Sequence, residues 1–224
     1  MNDDALRAPA AGFLITFEGG EGSGKSTQVE LLAVWLGEQG HDVLTAREPG
    51  TTATGELARR FLLETAPDDL TPEAELALFL AARAQLAEEV LRPALAAGRV
   101  VLLDRYGDSS VAYQGYGRGL EPGRVAALNG WATRGLAPAL TVLIDVPVTA
   151  AEARRDRAPD RVERAGVPFH ERVHAGYAAL ARAEPNRFCV LDGRRPIAEI
   201  QATIRDRVRA LLNTERTDRG MAST

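Results

Sequence analysis

Gly19, Gly24, Lys25 and Ser26 stand at the spacing G-x-x-x-x-G-K-[ST] within EGGEGSGKST, residues 18–27. That pattern does phosphate chemistry. Glycines let the backbone curl and aim its N–H groups into one concave nest. A helix opening behind them adds its positive end. Lys25 can reach the β- and γ-phosphates of a nucleotide, and the Ser26 hydroxyl can ligate Mg²⁺. Gly19, Gly20, Glu21, Gly22, Ser23, Gly24, Lys25, Ser26 and Thr27 are therefore read as a nucleoside-triphosphate site. A second group closes the run Leu102-Leu103-Asp104-Arg105-Tyr106. Asp104 can approach Mg²⁺ directly or through water, and Arg105 can clamp a phosphate with two parallel N–H bonds. A plain strand-end ion pair is the other reading of that dipeptide. Phe79 and Arg83 are four apart and share one face of a helix. A ring beside a guanidinium suits a flat base, although a helical Phe by itself is more often core.

These residues need a scaffold that brings them to one edge. The apolar run Phe13–Phe17 reads as a strand feeding the phosphate loop. A helix over about 25–38 follows, with Val29, Leu32 and Leu36 on one face. Further strands are expected at about 42–46, 99–103, 140–146 and 187–191. Helices are expected at about 54–64, from Thr71-Pro72 to about 96 with a bend at Pro93, from Ser109, from Pro122, and over 197–212. Short apolar strands separated by helices predict an α/β fold whose parallel sheet is covered on both faces. Glu18, Asp104 and Asp145 then end three strands at the carboxyl edge, where open α/β sheets bind ligands. Residues 12–212 read as a single domain, with a loose leader at 1–11 and a frayed polar tail at 213–224.

Composition narrows the class. The 224 residues are 45% apolar and 26% charged, ordinary for a globular chain. A net charge of −4 gives no general attraction to nucleic acid or an anionic membrane, so neither is expected as a partner. One cysteine, Cys189, excludes an internal disulfide framework. There is no apolar run of membrane-spanning length and no signal-peptide pattern, and the expected compartment is the cytoplasm. His170-Glu171-Arg172-Val173-His174 matches H-E-x-x-H, a zinc-protease pattern. It is rejected, because Phe169, Val173, Tyr177 and Leu180 already form a core stripe. The one remaining histidine, His41, supplies no third ligand nearby.

The segment DRYGDSSVAYQGYGRG, Asp104 to Gly119, resembles the thymidylate kinases, a family of P-loop nucleoside-monophosphate kinases. Four motifs carry the resemblance in order, from about residue 12 to 212. They are the phosphate loop, Arg47-Glu48-Pro49-Gly50, the helix Glu75–Arg83, and Asp104-Arg105-Tyr106 with Ser109 and Ala112-Tyr113-Gln114. Thr51 departs from the pattern, standing where the family usually has a second glycine.

The resemblance implies a three-layer P-loop kinase fold, with a five-stranded parallel sheet flanked by helices and a short lid at about 149–163. It implies transfer of the γ-phosphate of ATP to dTMP with Mg²⁺, and a homodimer to which Trp131 or the Phe79 helix could contribute. It places Glu21 near the sugar 3′-hydroxyl, and Phe79 and Arg83 at the thymine. Arg59, favoured over Arg60, and Arg105 fall at the acceptor phosphate. Glu48, Ser109, Ser110, Tyr113 and Gln114 fall around the rest of dTMP. The loop's variable positions carry no arginine, which matches the bacterial subtype whose lid supplies that charge. Arg157 and Arg161 are the first lid candidates, with Arg154 next. Three alternatives stay open on residues alone: a kinase for another monophosphate, a nucleotide switch without a small-molecule acceptor, and a pseudo-kinase.

Overall fold

The computed structural model describes residues 12–65, 70–154 and 160–221. Its five strands are β1 (Phe13–Glu18), β2 (Val43–Arg47), β3 (Val100–Asp104), β4 (Leu140–Asp145) and β5 (Phe188–Asp192). They form one parallel sheet in the order β2-β3-β1-β4-β5. β3 and β4 are almost wholly buried, whereas the edge strands β2 and β5 are only partly so. That is the pattern of a sheet sandwiched between helices, with only its margins wetted. Register sets Phe17 beside Asp104 and Asp145 beside Asp192. The polar strand ends thus line one edge.

Alternation along β1 divides the core. Ile15 and Phe17 face α1 (Lys25–Glu38) and α9 (Ile197–Met221), packing with Leu32, Leu36, Ile204 and Val208. Leu14 faces the opposite layer with Leu86, Val101 and Leu103. Glu18 has the parity of Leu14, which aims its carboxylate into this second layer. That layer contains α2 (Ala53–Arg60), α3 (Pro72–Leu86), α4 (Arg92–Ala96), α5 (Gly107–Ser110), α6 (Pro122–Ala132) and α8 (Val167–Ala183). A short α7 (Val148–Ala153) follows β4.

Local chemistry starts these helices. Thr52 accepts from the Gly55 N–H at 3.0 Å, and Thr71 from the Ala74 N–H at 3.3 Å ahead of Pro72. The bend expected at Pro93 is a widened turn over Ala87–Leu91 between α3 and α4. Proline lacks the N–H that a regular turn would use there, and the wider turn absorbs the gap. A similar wide segment, Val111–Gly117, continues α5 and carries Tyr113 and Gln114. The last helix reaches Met221, past the end expected at 212. The leader expected at 1–11 lies outside the described residues.

Candidate active site

The phosphate loop is wedged between β4 and α7. Gly19 has φ 133, and a Cβ there would meet the Ile144 carbonyl at 2.4 Å. Gly22 has φ 68, and its Cβ would meet the Ala151 carbonyl at 2.8 Å. Both positions therefore need glycine. Lys25 is buried and folds back over the loop. Its ammonium donates to the carbonyls of Gly19 (3.2 Å) and Gly20 (2.8 Å) and to Ser23 Oγ (3.4 Å). Burial lowers its pKa and Arg105 adds to that, while Glu21, Asp104 and Glu18 oppose. A cation so placed offers its charge to whatever anion enters the nest.

Ser26 Oγ donates to Asp104 Oδ2 at 2.9 Å. The other oxygen, Asp104 Oδ1, is buried without a hydrogen-bond partner. An orphaned carboxylate oxygen beside a hydroxyl fits a hard divalent cation, which takes oxygen ligands and fills its shell with phosphate and water. Among the described residues no cluster of three or more His, Cys, Asp or Glu forms a metal cage. His170 Nε2 is paired with the Glu163 carbonyl, and His174 Nε2 with Asp145.

Arg105 sits directly after β3 with φ 68, and its N–H donates to the Phe17 carbonyl at 3.0 Å. Left-handed backbone at a non-glycine stores strain of ~1–2 kcal/mol, which surrounding contacts must hold. Nη2 pairs with Glu21 at 2.5 Å, and Nη1 donates to Ser109 Oγ (3.2 Å) and Tyr177 OH (3.3 Å). The guanidinium carbon lies 5.2 Å from the Tyr113 ring centre. Burial would lower the Arg105 pKa, but Glu21 reverses this and holds it above its usual range.

A cleft of about 490 Å³ opens beside the loop. Glu21, Lys25, Ser26, Glu48, Arg59, Phe79, Arg83, Asp104, Arg105, Ser109, Ser110, Tyr113 and Gln114 all line it. The sequence-selected acceptor residues thus converge from the turn after β2, from α2 and α3, and from the segment after β3. Arg83 is fully buried. Its Nε pairs with Glu48 at 2.9 Å, Nη1 donates to Ser110 Oγ (2.9 Å) and Asn129 Oδ1, and Nη2 to the Tyr106 carbonyl (3.2 Å). Four of its five N–H groups are spent on holding it, leaving one on Nη2. Glu48 acts through that pair, and burial outweighs Arg83 to push its pKa up to about 7. Arg59 Nη1 donates to the Pro49 carbonyl at 3.1 Å.

The lid expectation needs correcting for Arg161. This side chain is buried. Nε donates to the Leu62 carbonyl at 2.8 Å, and Nη2 pairs with Glu75 at 2.5 Å. Glu75 is wholly buried on α3, and Arg118 and Gln114 also donate to it. A carboxylate that deep requires cations, and it holds Arg161 buried against α3 instead of over the phosphate loop. Arg154, beyond α7, donates to the Gly193 carbonyl at 3.1 Å, and its Cβ lies near Gly22. Arg157 falls outside the described residues.

Glu75, Asn129 and Tyr177 have no site role in the sequence reading, and Glu18 enters it only as a strand-end acid. Glu75 was visible inside the Glu75–Arg83 motif, and Glu18 as the last residue of a strand opening into the loop. Tyr177 was taken for a core stripe, since periodicity reports its ring and not its hydroxyl. Burial, then Asp108, pushes the Glu18 carboxyl up to about 7 against the donors Ser109 and Tyr106 N–H and the Arg105 charge.

The family model for thymidylate kinase matches residues 17–204. The thymidylate kinase of Geotalea uraniireducens (strain Rf4) is 48% identical over 209 residues, covering 90% of this chain and 98% of that one. That of Desulforudis audaxviator (strain MP104C) is 50% identical over 204 residues, covering 90% and 92%. A crystal structure of thymidylate kinase from Ehrlichia chaffeensis matches with TM-score 0.69 and 33% identity, covering 82% of this chain and 93% of that one.

Proposed function

The chain belongs to the thymidylate kinase family, and on that premise we propose how its residues divide the transfer of the γ-phosphate of ATP to dTMP, giving dTDP and ADP. The observation that carries the assignment is the Arg105–Glu21 pair, which joins the phosphate loop to the acceptor cleft. ATP lies on Gly19–Thr27 with its phosphates at Lys25. dTMP lies in the cleft, its base between Phe79 and the remaining N–H of Arg83, and its edge at Ser110 and Gln114. Tyr113 underlies the sugar, and Glu21 faces the 3′-hydroxyl. Arg105 and Arg59 hold the acceptor phosphate, with Ser109 beside them.

Catalysis by this arrangement is alignment and charge stabilisation, because the loose transition state of phosphoryl transfer needs little covalent help. Ser26 and Asp104 would hold Mg²⁺, which neutralises charge across the nucleotide phosphates when bound. Arg154, close to Gly22, is the lid arginine that the geometry favours, and Arg157 is assigned to the lid on the family resemblance. Closing the lid excludes water from the transferred group. A homodimer is part of the proposal, supported by Trp131, which is 77% exposed on α6. A cytoplasmic site of action fits the described residues, where no helix is long and apolar enough to cross a membrane.

The test is ADP release from Mg-ATP with dTMP, dUMP, UMP, CMP, AMP and GMP offered separately. Release should be strong with dTMP and weak with UMP and CMP. Equal slow release with every acceptor and with none would overturn the acceptor half of the assignment.

A further inference from the structure

The Tyr177 hydroxyl lies in the middle of the acceptor clamp, yet no step of the transfer described above uses it. It is 2.9 Å from Glu18 Oε2, 2.9 Å from Ser109 Oγ and 3.3 Å from Arg105 Nη1. We propose that Tyr177 is a positioning residue for phosphoryl transfer: with Glu18 and Ser109 it closes a hydrogen-bonded ring that fixes the Arg105 guanidinium where the acceptor phosphate must sit, a role that rests on Arg105 being that clamp.

Proton bookkeeping favours the ring. Arg105 Nη1 has two hydrogens, one for Ser109 Oγ (3.2 Å) and one for the Tyr177 oxygen (3.3 Å). Each hydroxyl then donates its own proton to the same carboxylate oxygen, Ser109 at 2.6 Å and Tyr177 at 2.9 Å. Glu18 Oε1 accepts the Tyr106 N–H at 2.8 Å. With Glu18 ionised, every donor in the ring has an acceptor. A Ser109–Tyr177 bond would instead take one hydroxyl proton from the carboxylate.

The ring also has a reason to exist. Arg105 carries a left-handed backbone, so its direction must be imposed by its neighbours. Glu21, on the phosphate loop, holds one end of the guanidinium. The ring holds the other end from β1, α5 and α8, which carry Glu18, Ser109 and Tyr177. Tyr177 is buried on α8, its ring edge-on to Tyr113 at 6.3 Å and packed with Phe169 and Val173. Burial keeps its phenol well above the usual pKa, so it stays a donor. Sites held by side chains whose own positions are locked keep their geometry best. A displacement of about 1 Å at a positioning group can cost up to ~100-fold in rate.

The experiment compares the full chain with Tyr177→Phe, Glu18→Gln and the double variant, in dTMP and ATP saturation series. Tyr177→Phe keeps the packed ring and removes only the hydroxyl. Glu18→Gln sets an N–H₂ group against either the two hydroxyls or the Tyr106 N–H. Each single variant should lose about tenfold in kcat/KM for dTMP, with the KM for ATP within twofold of the parent. The double variant should be little worse than either single, because both break one ring. Unaltered kcat/KM for dTMP in the single variants, equal losses toward ATP, or multiplying losses in the double would each overturn the proposal. If Tyr177→Phe does not fold, Glu18→Gln decides by the same split. Failure of the parent chain to phosphorylate dTMP would remove the assigned function and the ring together, whereas normal parent activity with indifferent variants removes the ring alone.

Discussion

Arg105 and Glu21, 84 residues apart in sequence, meet at 2.5 Å between the end of β3 and the phosphate loop. The pair is partly exposed, at 16% and 35%. Such a pair adds little to stability by itself. Its value is placement, since it stations a permanent cation beside the nucleotide nest.

Replacing Arg105 with Ala should therefore lower kcat with dTMP by about 10³-fold or more, the range lost when a transition-state cation is removed. Lys25→Ala should do the same. Both variants should keep a cooperative thermal transition close to the parent. Near-normal ADP release from either would remove that residue from the site.

Arg161 and Arg154 should separate cleanly. Arg161→Ala leaves Glu75 buried with Arg118 and Gln114 as remaining partners. Breaking a buried ion pair typically costs 3–5 kcal/mol, so with those partners left about 2–4 kcal/mol is expected. Arg154 is exposed, so Arg154→Ala should leave the urea midpoint unchanged and lower kcat by about 10-fold or more. A stable Arg161→Ala chain with low kcat would restore Arg161 to the lid role.

Stability should depend on pH through two buried carboxyls. Burial pushes Glu18 and Glu48 each to about 7 from 4.5. Between those values the folded chain binds more protons than the unfolded one, so stability falls as pH rises through the window. Each group contributes stability that is complete below about pH 4.5 and lost above about 7, on the order of 1–3 kcal/mol. Urea unfolding at pH 5.5 and 8 should show the lower midpoint at pH 8, with a smaller difference in Glu48→Gln. An equal difference in that variant would remove Glu48 as a source.

Residue types and spacing made the nest and the strand-end acid legible, and the family resemblance pointed to the residues that line the cleft. Their chemistry depends on short local patterns such as Gly19–Ser26 and Asp104–Gln114. The sheet was legible because β1, β3 and β4 are continuous apolar runs. What stayed hidden were long-range pairings between buried polar groups. Nothing in Glu75 announces that it will meet Arg161, 86 residues on. Arg161 looked like a lid residue because a basic run carries no mark of which guanidinium turns inward. Tyr177 shares the problem, its helical spacing being satisfied by packing alone.

Thr51 tests whether a departure from the family pattern is compensated locally. It holds φ 69, a conformation that is strained for a β-branched residue. Its hydroxyl accepts from the Arg47 N–H at 3.0 Å and donates to the Arg47 carbonyl at 3.1 Å. Its own N–H donates to Glu56 at 3.0 Å. The strain costs ~1–2 kcal/mol, and two exposed hydrogen bonds return a similar amount. Thr51→Gly removes both terms and should change stability by less than about 1 kcal/mol. Thr51→Ala keeps a Cβ at positive φ but loses the hydroxyl, and should destabilise by about 1–2 kcal/mol. Urea unfolding of the two variants beside the parent decides it. If Ala is tolerated as well as Gly, the hydroxyl is not what holds this loop.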